Sequence, residues 1–309
     1  MGALPQGPGR EPAAQALTAA ATSEYGIING TPLSADFELT KNVVRLLFNY
    51  KEMTKDGLKD SGHICTGSVI DRRTILTAAH CLSNVQSPQQ ITVQFDHDPG
   101  CYRGTPANSR SRRQRAFSSV QTVQSFVIHT GYQEKYYTHD LGVIRLNDDI
   151  PANYEPVILS EASDSSDEGG YLVLGYGRIS KADNDEDPNT RLRFGWVQPL
   201  QEQWRRDSLM GYLKQSGLAE TDQATFPERT ILFDQTNENG ICRGDSGGPL
   251  FTKSKGRWHQ LGVASFVSST NPNADLCREM SAQMSIPYYR SWILEAMDKL
   301  QNLTGRQQF

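Results

Sequence analysis

Short stretches of alternating apolar and polar residues, separated by turn-forming residues, make up most of the chain after residue 26. Such alternation is typical of half-buried β-strands, and many short strands between turns are typical of barrels and sandwiches. No internal repeat is visible in the sequence. The pattern predicts strands at residues 43–48, 63–70, 74–76, 91–95, 120–128, 141–146, 171–174 and 260–267.

Only the C-terminal part of the chain has a clear helical pattern. Ile293, Met297 and Leu300 recur at the i, i+4 and i+7 spacing that puts apolar side chains on one face of a helix. Ser291 precedes them and is a residue type that caps helix N-termini. The sequence therefore predicts a packing helix at about residues 291–300.

The first 26 residues differ in composition from the rest. Residues 1–22 are rich in Ala, Gly, Pro and Gln and show no strand alternation, so we expect residues 1–26 to be a disordered leader or pro-segment. A secretory signal has about 7 to 15 apolar residues after a positively charged start, and this segment matches that pattern only weakly. An export signal upstream of Met1, a pro-segment and an unusual export route are the alternatives.

Composition excludes several classes of protein. The 309 residues are 37% hydrophobic and 21% charged, as in a loop-rich globular protein. The net charge of −4 does not favour nucleic acid or an anionic membrane as a partner. No apolar run reaches the length of about 18 residues that a membrane span requires. Five cysteines leave at least one thiol unpaired or paired with another chain.

Two charged segments are interpreted as solvated loops. The basic stretch at residues 110–115 lacks interleaved aromatic residues, so a protease-sensitive loop is favoured over a polyanion site. The acidic stretch 183–187 begins like a calcium loop, but Pro188 replaces the required Gly and Phe194 the required Glu. Among the histidines other than His80, no metal-ligand spacing is visible at His63, His97, His129 and His259, and His139 is interpreted as a residue that only flanks Asp140. We expect no metal and no cofactor.

Three motifs carry residues suited to nucleophilic catalysis. Residues 241–250 read Ile-Cys-Arg-Gly-Asp-Ser-Gly-Gly-Pro-Leu, and these glycines allow a sharp turn that exposes a hydroxyl beside backbone N–H groups. Residues 77–81 read Thr-Ala-Ala-His-Cys, and residues 139–146 carry an Asp at the start of an apolar strand. A serine hydroxyl becomes a good nucleophile when an imidazole accepts its proton and a carboxylate orients the imidazole.

These motifs, in this order along the chain, resemble those of chymotrypsin/trypsin-family serine endopeptidases. The resemblance runs from Ile27 to the C-terminal helix and implies a peptidase domain at residues 27–309. It implies an all-β fold of two six-stranded antiparallel β-barrels with a C-terminal α-helix. Barrel one would span about residues 27–150 and barrel two about residues 151–290.

The resemblance also implies the roles of individual residues. Ser246 would be the nucleophile, His80 the general base and then acid, and Asp140 the orienting carboxylate. The backbone N–H groups of Gly244 and Ser246 would form the oxyanion hole. A freed ammonium at Ile27, in the Ile-Ile-Asn-Gly segment, would pair with Asp245 and order that hole.

Cysteines and neighbouring segments fit the same resemblance. It implies disulfides between Cys65 and Cys81 and between Cys242 and Cys277, and therefore an oxidising compartment. Cys101 would stay a free thiol in a long insertion at about residues 96–115. Ser265 would hydrogen-bond the catalytic Asp, in a segment that pairs with the substrate backbone and has Phe266 where the family usually has Trp. The middle residue of Gly175-Tyr176-Gly177 is commonly Trp in the family.

The specificity pocket departs from the tryptic pattern. In the family that the sequence resembles, the residue six positions before the nucleophile forms the floor of the specificity pocket. Here that residue is Gly240 rather than the Asp that would bind a Lys or Arg side chain. A buried guanidinium without a carboxylate would cost several kcal/mol, so cleavage after Lys or Arg is disfavoured. Val267 and Ser281 stand at the wall positions, which favours an elastase-like pocket for small or medium apolar residues. The alternative is a chymotrypsin-like slot for Phe or Tyr, and Arg243 at the rim would favour acidic neighbours.

The sequence therefore predicts a serine endopeptidase made as a zymogen, acting as a monomer on protein or peptide substrates. We expect it to be secreted or located in the cell envelope or periplasm. Gly26 precedes Ile27, which disfavours a trypsin-like activating protease. One alternative is a catalytically silent binding protein on the same fold, although no triad residue is replaced. Another is an unrelated β-domain with a chance Gly-Asp-Ser-Gly turn.

Overall fold

The computed structural model describes residues 27–34, 37–55, 57–95, 119–162, 170–177, 191–236, 239–269, 271, 273 and 275–305. The predicted leader, Cys101 and the two charged stretches lie outside these residues.

A closed six-stranded antiparallel barrel follows the short strand β1 (Thr31–Pro32). Its strands are β2 (Val43–Thr54), β3 (Gly57–Asp71), β4 (Thr74–Thr77), β5 (Ile91–Phe95), β6 (Ser119–Ile128) and β7 (Gly142–Leu146). They pair in the order β2-β3-β4-β7-β6-β5, and β5 pairs again with β2. Alternating residues such as Val44, Leu46 and Phe48 fill the interior.

A second barrel is built from the following part of the chain. Its strands are β9 (Tyr171–Gly175), β10 (Arg193–Pro199), β11 (Thr230–Asp234), β12 (Pro249–Ser254), β13 (Arg257–Ser268) and β14 (Met280–Ser285), preceded by the short β8 (Ile158–Leu159). The strands close in the order β9-β10-β11-β14-β13-β12 and back to β9. β1 adds to β10, and β8 runs parallel beside β13. Two barrels and a C-terminal helix confirm the predicted fold class.

Helices lie around the barrels. They are α1 (Ala79–Leu82), α2 (Gln203–Gln215), α3 (Glu220–Arg229) and α4 (Ile286–Gly305). No helix in the described ranges is both long and apolar enough to cross a membrane.

The predicted start of the C-terminal helix at Ser291 is wrong. α4 begins at Ile286, directly after β14, and Ser291 is an exposed residue inside the helix. Ile286 and Tyr289 are buried together with Ile293, so the apolar stripe extends further toward the N-terminus than the predicted helix. Pro287 also suits the first turn, where its missing N–H breaks no intrahelical hydrogen bond.

Candidate active site

His80 and Asp140 are brought together by strand pairing in the first barrel. β4 and β7 run antiparallel with Thr77 opposite Gly142, so residues just after β4 lie beside residues just before β7. His80 lies in α1 after β4, and Asp140 comes just before β7. The backbone N–H of His80 donates to Asp140 Oδ1 (2.8 Å), and its ring Nδ1–H donates to Asp140 Oδ2 (2.7 Å).

The carboxylate of Asp140 is fully buried and held by a further donor. Ser265 Oγ donates to Asp140 Oδ2 at 2.6 Å. Burial of the His80 ring disfavours its charged form, but the charge of Asp140 and the hydrogen bond to it raise the pKa of His80 above 6.5. With Nδ1 donating to Asp140, Nε2 of His80 can accept a proton from a nucleophile.

Ser246 lies in the turn before β12, beside the disulfide that follows His80. Its carbonyl oxygen accepts a hydrogen bond from the N–H of Thr66 (2.8 Å) and lies 3.8 Å from Cys81 Sγ. Cys65 and Cys81 are joined in a disulfide. The turn that carries Ser246 therefore lies against β3 and α1, and both His80 and Ser246 are partly exposed there.

Glycines shape the turn around Ser246. Gly244 has φ +94° and Gly247 has φ +80°, in the left-handed region that favours glycine. A Cβ on Gly244 would lie 2.8 Å from Gly177 Cα, so only glycine fits there. The N–H groups of Gly244 and Ser246 donate to no acceptor in the described part of the chain.

Asp245 is fully buried beneath this turn. Its carboxylate accepts hydrogen bonds from the backbone N–H groups of Gly177 (2.7 Å), Cys242 (2.9 Å) and Ile27. Burial raises the pKa of Asp245 to about 7, although these three donors oppose the rise. Ile27 is itself fully buried, and the N–H of Ile28 donates to Gly240 O (2.8 Å).

Three of the predicted pocket residues lie on two adjacent, paired strands, and Gly240 precedes both strands in the chain. β13 and β14 pair with Val267 opposite Ser281. Ser281 is buried, whereas Val267 is partly exposed and packs against Cys242 and Cys277. Those two cysteines form the second disulfide, which links the segment between β13 and β14 to the segment that begins at Gly240.

Residues 51–293 match the trypsin family. The chain belongs to the trypsin family of serine endopeptidases. It is 26% identical to serine protease 41 of Homo sapiens over 242 residues, which cover 76% of this chain and 69% of that protein. Coagulation factor XI of Bos taurus (26% over 243 residues) and coagulation factor XII of Sus scrofa (28% over 246 residues) each match 75% of this chain. The matches span only 33% and 36% of those two longer proteins.

A solved structure titled HL collagenase shares the fold. It is 22% identical to this trypsin-family chain with a TM-score of 0.59, and the match covers 88% of this chain and 99% of that one. At this identity the likeness concerns the fold alone.

One aromatic residue of the trypsin-family site was missed by the sequence analysis. Tyr137 places its ring edge-on to His80, with 5.4 Å between ring centroids, and 5.7 Å from the ring of Phe266. Its backbone has φ +51°, a left-handed conformation that is uncommon for a tyrosine. In the sequence, the signal that could have indicated Tyr137 is its position three residues before Asp140.

Gln235 is a second missed residue. It is 1% exposed and lies in the segment between β11 and Gly240. Its side-chain amide contacts Ile241 and Cys277. No motif in the sequence marks it, because its relation to the pocket arises only when the chain turns back between β11 and Gly240.

Among the described residues, three side chains have potential metal-ligand atoms close enough together to suggest a metal-ion site. The ring of His80 and the sulfurs of Cys65 and Cys81 lie within 4.8 Å of one another. The two sulfurs are bonded to each other, so they are not available as thiolate ligands.

Proposed function

We propose that the protein is a serine endopeptidase that cleaves after small or medium apolar residues through an acyl-enzyme intermediate. The observation that carries this proposal is the pair of hydrogen bonds between His80 and Asp140 beside the glycine-flanked Ser246. The family membership of the chain supports the same reaction.

In the proposed mechanism, Ser246 Oγ attacks the carbonyl carbon of the peptide bond while its proton passes to His80 Nε2. Asp140 holds the ring through Nδ1–H and stabilises the imidazolium that forms. The N–H groups of Gly244 and Ser246 donate to the oxyanion of the tetrahedral intermediate. His80 then protonates the leaving amine, and water hydrolyses the acyl-enzyme with His80 again acting as the base.

Substrate preference is inferred from the walls of the proposed pocket. Gly240 supplies no carboxylate for a cationic side chain, and Val267 on β13 carries a branched side chain that would narrow the proposed pocket between residues 240–242 and 265–267. An uncharged, narrow pocket favours Ala, Val or Leu over Arg, because a buried guanidinium needs an anionic partner. Exposed Arg243 at the rim adds a weak preference for acidic neighbours.

Processing and location form part of the proposal. Ile27 N contacts Asp245 in the buried position where a new ammonium would neutralise that carboxylate, which supports synthesis as a zymogen cut before Ile27. Since Gly26 precedes that bond, we infer either an activating protease with a preference other than Lys or Arg, or trimming that follows an earlier cut. The two disulfides support an oxidising location, either outside the cell or in the cell envelope or periplasm.

A fluorophosphonate probe and a peptide panel test this function. The active protein should label at Ser246, and the Ser246→Ala variant should not label and should lose about 10⁴-fold or more in kcat. Chromogenic peptides ending in Ala, Val, Phe and Arg should give the highest kcat/KM for Ala or Val. Absence of labelling in the correctly processed protein would support a silent binding protein instead. The highest kcat/KM on the Arg peptide would contradict the proposed pocket.

A further inference from the structure

We propose that Gln235 forms the floor of the specificity pocket and keeps that pocket shallow and uncharged. This inference rests on the proposed function, because it assumes that the space between residues 240–242 and 265–267 receives the substrate side chain. Gln235 lies outside every sequence motif described above and is almost fully buried.

The amide of Gln235 connects the two sides of the proposed pocket. Its Nε2 donates to the carbonyl oxygens of Ile241 (3.1 Å) and Cys277 (2.8 Å), and its Oε1 accepts from the N–H of Ile241 (2.8 Å). Ile241 belongs to the segment that leads to Ser246, and Cys277 precedes the strand that carries Ser281. The side chain therefore bridges these two segments, and we place it at the base of the proposed pocket because it lies against Gly240.

The position of Gly240 shows which volume the amide occupies. A Cβ on Gly240 would overlap the side chain of Gln235, at only 2.5 Å from Nε2 and 2.8 Å from Cγ. The backbone of Gly240 forms an isolated β-bridge with Ile28. This bridge keeps Gly240 from moving away from Gln235. A side chain at position 240 and the amide of Gln235 thus compete for one space, and Gln235 occupies it.

The chemistry of this floor sets what the pocket accepts. Both N–H groups of the amide are used on carbonyl oxygens, so the amide has no donor left for a substrate. An amide carries no charge to balance a lysine or arginine. We therefore infer that Gln235 limits the length of the side chain that the pocket accepts and excludes cationic side chains.

Kinetics with peptides that end in Ala, Leu and Phe test the floor. In the active enzyme that begins at Ile27, Gln235→Ala should raise the kcat/KM ratio of Leu or Phe to Ala by roughly tenfold or more, because a deeper apolar pocket favours longer side chains. Gln235→Met keeps most of the volume without the hydrogen bonds, so it should lower thermal stability yet leave that ratio near the wild-type value. Gln260→Ala removes another buried glutamine of the second barrel and should not change the ratio.

A thermal-stability cycle tests the shared volume without any activity. Gly240→Ala should lower the Tm strongly in the wild-type background but much less when Gln235→Ala is also present, since the added methyl group then has room. Additive Tm changes would show that residues 235 and 240 do not compete for space. They would overturn the inference, as would an unchanged Leu-to-Ala ratio in an active Gln235→Ala enzyme.

The two assays separate the possible failures. If the wild-type protein cleaves none of the peptides, the proposed function fails, while the Tm cycle still decides whether Gln235 fills the volume beside Gly240. A different result is possible if the wild-type protein is active. If Gln235→Ala then leaves the Leu-to-Ala ratio unchanged and the Tm changes are additive, the proposed function stands and the role of Gln235 is rejected.

Discussion

At Asp140, three hydrogen bonds converge on one fully buried carboxylate, two from His80 and one from Ser265. These residues were predicted from the sequence because each belongs to a motif with a specific residue type at a specific place. Tyr137 and Gln235 were not predicted, because their contacts with His80 and Ile241 depend on backbone turns that no local pattern encodes. Residues whose chemistry depends on their type could therefore be predicted from the sequence. Contacts that depend on the shape of the folded backbone could not.

The raised pKa of His80 gives a prediction at this scale. In the proposed mechanism His80 acts as the base in its neutral form, so kcat/KM should fall as the pH drops through a pKa above 6.5. Asp140→Asn should reduce kcat by about 10⁴-fold, because the amide favours the wrong imidazole tautomer. A pH–rate profile of both proteins measures this. Full activity of the wild-type enzyme well below pH 6 would contradict the role of His80.

Among secondary-structure elements, alternation predicted the strands of the first barrel better than those of the second. β14 was not predicted, although its apolar residues Met280, Ala282 and Met284 alternate with the polar residues Ser281, Gln283 and Ser285, and all six are buried. Helix α2 was missed because polar residues dominate it, and α3 contains Pro227, which normally ends a helix. Tertiary packing, rather than the local helix preference of the residues, therefore determines the structure of α2 and α3.

Helix α3 carries a polar network that reaches the residue before Asp140. Asp222 contacts Nε2 of His139 (3.1 Å), and Tyr289 of α4 contacts the other ring nitrogen (3.1 Å). Burial and the charge of Arg229 lower the pKa of His139, although Asp222 opposes this shift. These hydrogen bonds connect the segment that carries Asp140 to α3 and α4.

Removal of one charge from this network should destabilise the protein. Arg229 is 1% exposed and lies 3.9 Å from Asp222, so Asp222→Asn leaves a buried guanidinium without its anionic partner. We expect the free energy of unfolding to fall by about 3 kcal/mol in urea titrations. The exposed Asp207 of α2 is a matched control, and Asp207→Asn should change stability by about 0.5 kcal/mol or less. Equal effects of the two substitutions would contradict this account.

For the whole molecule, the position of Asp245 makes the stability of the uncut chain depend on pH. Its pKa is raised to about 7 from 3.8, so the folded state binds a proton that the unfolded state has lost between these values. The stabilisation is complete below about pH 4 and is lost as the pH rises through 7, an effect of about 4 kcal/mol. An ammonium at Ile27 would hold the carboxylate charged and remove this loss.

Urea unfolding of the intact and the cut protein at pH 5 and pH 8 measures this difference. The intact chain should be clearly less stable at pH 8 than at pH 5, and the protein that begins with Ile27 should show a smaller loss. N-terminal sequencing of the cut protein should give Ile-Ile-Asn-Gly. The same pH dependence in both forms would argue against the pairing of Ile27 with Asp245.

Ile27 and Ile28 are almost completely shielded from solvent. A protease needs an exposed, extended chain on both sides of the bond that it cuts, so the bond before Ile27 is protected while these residues stay docked. Cutting must then wait for the segment to leave its site, and its speed follows the fraction of molecules that are open at any moment.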